Sequence, residues 1–231
     1  MRWVSSTGGV LRALASCPDR SPSNERLETG LAALDELLPV QGWRRGGMHE
    51  VLGDGDQPLL PLLVARRAVT RGAVVWCDPL GRLYLPAVAA MGLDVDRIIL
   101  LRPRAPQEEL WAINECLRCK GVSVCVARVD RLSMLDARRL QLSAECGGGV
   151  GILLRPERAL TQPYAAATRW RVRPSPGERT VHRWKVELIH GHGGRVGKSV
   201  ILEVDRDTNH VRASQAVADR SAAPASKAIT A

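Results

Sequence analysis

The sequence predicts an α/β fold: a mostly parallel sheet covered by helices on both faces, with antiparallel hairpins added at its C-terminal edge. Three observations lead there. Short runs nearly continuous in Val, Ile and Leu recur between residues 48 and 156, as strands buried on both faces require. Stretches with helical periodicity and recognisable start and stop residues separate them. After Pro163 the texture changes to alternation of apolar and polar residues, the mark of hairpins.

In order, "MHEVL" (48–52) reads as the first core strand, "QPLLPLLVARRAV" (57–69) as a helix and "AVVWC" (73–77) as a strand. "LYLPAVAAMG" (83–92) reads as a helix and "RIILL" (97–101) as a strand. The next helix is expected from Pro106 to Lys120. Glu108 and Glu109 in its first turn and Arg118 and Lys120 in its last oppose the helix dipole, and Gly121 suits the C-terminal cap. "VSVCVA" (122–127) follows as a strand. Ser133 with Asp136 three residues on is a capping-box-like start for a helix stopped by "GGG" (147–149), before the strand "VGILLRP" (150–156). "TRWRVR" (168–173), "HRWKVELIH" (182–190), "KSVILEVD" (198–205) and "HVRA" (210–213) supply the hairpins.

A chain of 231 residues suits one such domain with short tails. The ends are small, polar and aperiodic, so we expect a flexible segment over 1–25, the domain over 26–213 and a disordered tail over 214–231. No apolar run reaches the ~18 residues that span a bilayer, and polar residues interrupt the N-terminal stretch before a signal-peptide core forms. A soluble, cytoplasmic protein is expected. Six cysteines at no disulfide-framework spacing suit reduced thiols. Cys116, Cys119, Cys125 and Cys146 offer four thiols for zinc, but a helix and an apolar strand are poor settings for a metal knuckle. Core packing is the better reading, and no metal is expected. No Ser-His-Asp or Cys-His arrangement can be argued, and no catalytic residue is assigned.

"GHGGRVGKS" (191–199) ends like a phosphate loop, whose glycine-rich turn must lead from a strand into a helix N-terminus. Here His192 stands where the first glycine belongs, and Val200, Leu202 and Val204 alternate as in a strand. A hairpin loop is expected instead, with glycines supplying positive φ angles. The fold would place a real phosphate loop after "MHEVL". Aligning Gly53 with the first glycine puts Asp54, Gly55, Asp56 and Gln57 in the turn, Pro58 at the second glycine, Leu59 at the lysine and Leu60 at the Ser/Thr. Asp54 and Asp56 add negative charge where phosphates would sit, and Pro58 deletes an amide donor. No cofactor is expected.

"LETGLAALDELLPVQGWRRGGMHEVLG" (27–53) resembles the start of the RecA core, through Thr29, Gly30, Leu34, Asp35, Gly46, Glu50 and Gly53. The likeness covers roughly 27–205 and implies a RecA-like sheet. By that resemblance, the water-activating glutamate after "VVWCDP" is replaced by Leu80. The acid ending "VSVCVARVD" is displaced to Asp130, with Ala127 and Arg128 at the strand tip. With "ARRLQLSAECGGGVGILLRP" (137–156) and "WKVELIHGHGGRVGKSVILEVD" (184–205), the whole is similar to the ImuA family, sometimes labelled SulA-like. That resemblance implies a non-catalytic accessory protein of SOS-response translesion synthesis. Its implied partners are an ImuB-like polymerase-related protein, an error-prone DnaE-type polymerase and RecA. Competing readings are a divergent active RecA- or KaiC-like ATPase and an SOS-linked cell-division inhibitor.

A formal charge of +9 favours nucleic acid or an acidic partner, although the excess is spread along the chain. Arg169, Arg171, Arg183, Arg195 and Lys198 gather near the late hairpins among Trp170 and Trp184, a pattern that suits weak single-stranded DNA contact. The tryptophans occupy the apolar phase, as core residues do, and an arginine-rich strand face is often simply solvated. Arg138 and Arg139 offer a second surface for DNA or a partner protein.

Overall fold

The computed structural model describes residues 26–39, 41–53 and 58–214. The expected N-terminal segment, nearly all of the C-terminal tail and residues 54–57 lie outside the described residues.

Two short strands, β1 (Arg26–Leu27) and β2 (Trp43–Arg44), pair antiparallel beside the main sheet, with helix α1 (Ala32–Asp35) between them. The chain then alternates through β3 (Gly47–Leu52), α2 (Leu59–Ala68), β4 (Ala73–Cys77), α3 (Leu85–Ala90), β5 (Ile98–Leu101), α4 (Pro106–Arg118), β6 (Val122–Arg128), α5 (Met134–Gly147) and β7 (Val150–Arg155). Four strands follow without intervening α-helices: β8 (Thr168–Ser175), β9 (Val181–Gly191), β10 (Ser199–Asp205) and β11 (Val211–Ser214).

Nine strands form one sheet in the order β11-β10-β9-β8-β3-β7-β6-β4-β5. From β5 to β8 every pairing is parallel, and from β8 to β11 every pairing is antiparallel. The strand period of two divides the core. Val74 and Trp76 of β4 join the apolar cluster under α2 and α3, whereas Val75 and Cys77 join the cluster under α4 and α5. Helices thus cover both faces of the parallel half, which explains why its strands read as continuous apolar runs. Beyond β8 the apolar phase, Trp170, Val172, Val186, Leu188, Val200 and Leu202, extends the first cluster. The opposite phase carries Arg171, Glu187 and Glu203.

Local signals set the boundaries. The Ser133 hydroxyl accepts from the Asp136 amide at 3.1 Å, and Gly148 closes α5 with φ 72°. Two expectations need correction. Helix α4 ends at Arg118, because Cys119 is extended, so Gly121 is not its cap; the Gly121 carbonyl instead accepts from the Ala73 amide at 2.9 Å. Helix α3 starts at Leu85 because the Asp78 carboxylate takes the amides of Arg82 and Leu83 at 3.0 and 2.9 Å, holding them in a turn. Among the described residues no helix is long and apolar enough to cross a membrane.

Candidate functional site

The C-terminal ends of parallel strands are where α/β sheets present their ligand sites, so the tips of β3, β4 and β6 come first. At β3, the Gly53 amide donates to the Arg155 carbonyl at 3.1 Å. Pro58 opens α2 without a side-chain cap, and its carbonyl accepts from the Leu62 amide at 2.8 Å. Leu59 and Leu60 are 6% and 1% exposed and belong to the apolar cluster beneath the helix. The two side chains aligned with a phosphate-binding lysine and a magnesium-binding hydroxyl are hydrocarbon, and both are directed into the core.

At the tip of β4 the Asp78 turn holds Leu80 outward, 63% exposed, where the resemblance expects a catalytic glutamate. At β6, Val129 is buried and donates its amide to the Leu154 carbonyl at 3.0 Å. Asp130 is exposed and pairs with Arg158 at 3.1 Å. The Glu109 carboxyl lies above its ordinary range, first because it is partly buried and second because Asp130 is a nearby like charge.

Glu50, read from sequence only as part of a strand motif, holds the most deeply buried charge cluster. Its carboxylate accepts from Arg155 Nη1 at 3.0 Å and Arg169 Nε at 2.8 Å. Arg169 also donates to the carbonyls of Leu160 and Ala159, and its guanidinium lies 4.1 Å from the Tyr164 ring centroid. Arg169 is 4% exposed, which corrects its assignment as a surface contact for DNA or a partner. Sequence reasoning overlooked Arg155. The one available signal was an arginine closing an otherwise apolar strand.

Thr29, Gly30 and Asp35 show what the RecA-like start of the domain does. The Asp35 carboxylate accepts from the Thr29 amide at 3.0 Å, the Thr29 hydroxyl at 2.8 Å and the Gly30 amide at 3.1 Å. Burial raises its pKa more than these hydrogen bonds lower it. A second polar chain runs through the core. Trp170 Nε1 donates to the Thr168 hydroxyl at 3.0 Å, which lies 2.7 Å from His49 Nδ1, while His49 Nε2 is 3.1 Å from the Arg44 carbonyl. The arrangement is satisfied by a neutral imidazole protonated on Nε2. Burial accordingly pushes the His49 pKa down to about 4.

The late hairpins hold five of their charges in cross-strand pairs. Arg171 lies opposite Glu187 and bonds it at 2.6 Å. Arg183 and Arg212 both lie opposite Glu203 and bond it at 2.7 Å each. Those bonds, Arg212 first and then Arg183, hold the Glu203 carboxyl below the usual range. Arg173 pairs with Glu157. Arg195 and Lys198 are exposed on the 192–198 turn, where Gly193 and Gly197 have φ of 76° and 80° and strand β10 follows. The Arg195 amide donates to the Leu37 carbonyl at 2.9 Å, tying the turn to the segment after α1. Arg138 and Arg139 are exposed on α5, with Arg139 3.6 Å from Asp136. Cys116, Cys119 and Cys125 are buried and Cys146 exposed, and among the described residues no three His, Cys, Asp or Glu side chains are grouped to hold a metal.

Comparison with known proteins agrees with this architecture. "Protein ImuA" of Caulobacter vibrioides is 32% identical over 196 residues, covering 74% of this chain and 80% of its own. "Cell division inhibitor SulA" of Serratia marcescens is 25% identical over 139 residues, 58% of this chain and 82% of its own. The SulA of Cronobacter sakazakii is 32% identical over 124 residues, 51% and 73%. No family model matches. The crystal structure of the RadB recombinase superposes with a TM-score of 0.63 at 16% identity, covering 80% of this chain and 98% of that one, a likeness of fold alone.

Proposed function

The chain belongs to the ImuA family, and from that premise we propose that it is a non-catalytic, RecA-like accessory protein of SOS-response DNA damage tolerance, acting in error-prone translesion synthesis through contacts with other proteins. The observation that carries the reading is the burial of Leu59 and Leu60 at the head of α2. A phosphate site needs a cation and convergent amides at that point. This chain places two leucines in its core and, directly before them, a proline with no amide hydrogen. Exposed Leu80 in place of an acid points the same way, since no carboxylate stands there to orient water.

The partners that fit are the ones the family resemblance implies: an ImuB-like polymerase-related protein, a DnaE-type polymerase and RecA. A RecA-like body that has given up nucleotide cycling retains surfaces suited to such proteins. Titration calorimetry with magnesium and ATP is expected to show no saturable heat and a coupled assay no hydrolysis. Hydrolysis abolished by substitutions within residues 53–60 would overturn the proposal. Reconstitution with the three purified partners tests the contacts directly, and complex formation with none of them counts against the reading.

A further inference from the structure

We draw no further inference here: the strongest candidate, the exposed apolar surface patch that Leu80, Tyr84 and α3 form beside the tip of β4, carries none because nothing in the structure shows what covers it.

Discussion

Glu50 answers to two arginines in a site where water does not reach, and the balance there is delicate. Each buried ion loses several kcal/mol of hydration, which only close pairing and further hydrogen bonds offset. Arg169 meets that condition with two carbonyls and an aromatic face; Arg155 adds the Gln162 carboxamide. Alternation in "TRWRVR" correctly directs Trp170 inward, where it stacks on Trp43 at 5.4 Å. Alternation also directs Arg169 to the opposite face, but says nothing of what covers that face. The turn Glu157–Thr161 and Tyr164 do so here, and they are brought together by tertiary structure. His49 gives a sharper consequence. Its pKa is about 4 in the folded chain against 6.5 in the unfolded one, so acid protonates the unfolded state first. Stability should therefore fall by about 3 kcal/mol as pH drops from 6.5 to 4, and show no further His49 contribution below. Urea unfolding across that range should show the slope, and His49→Gln should flatten it; an unchanged slope in the variant would count against the assignment.

Among the elements, α5 is the most legible from sequence and still conceals its tightest constraint. Ser133, Asp136 and "GGG" marked both ends. Two of the three glycines nevertheless do different work. Gly148 takes the left-handed conformation with nothing within 4 Å of a Cβ, so Gly148→Ala should cost about 1 kcal/mol, from backbone strain alone. Gly147 lies where α5 passes α4: a Cβ there would stand 1.9 Å from the Leu117 carbonyl oxygen. Gly147→Ala should cost more, about 1–3 kcal/mol, because the helices must part. Thermal unfolding of the two variants separates the effects, and a larger loss for Gly148→Ala would contradict the packing. A run of glycines announces a stop in any sequence, whereas the close approach depends on a helix some thirty residues away.

At the scale of the molecule, the mostly parallel sheet and both helical layers follow from the alternation of elements, whereas the strand order does not; the likeness to RadB is one of fold. The distribution of charge was less legible. An excess of basic residues suggested nucleic acid, but on β8 to β11 the arginines chiefly stand opposite glutamates, as cross-strand pairing requires. Exposed basic residues remain at Arg195, which lies 3.8 Å from Glu36, and at Lys198. Two phosphate contacts correspond to a log–log salt slope of about −1.4 for single-stranded DNA, so binding should be weak and largely lost in an Arg195→Ala, Lys198→Ala double variant. Fluorescence anisotropy at several salt concentrations measures this, and a slope several times steeper would mean that the paired arginines also engage.

The central place of β3 has one more consequence, for the birth of the protein. Its neighbours are β7 and β8, with Glu50 beside Leu153 on one side and Arg169 on the other. Both partners leave the ribosome about a hundred residues after β3, some 5–20 s later at ordinary elongation rates. For that interval a strand buried at every position in the finished fold has no sheet to join. The nascent chain must be shielded until β8 emerges, and truncation before that strand should yield a polypeptide that chaperones retain rather than release.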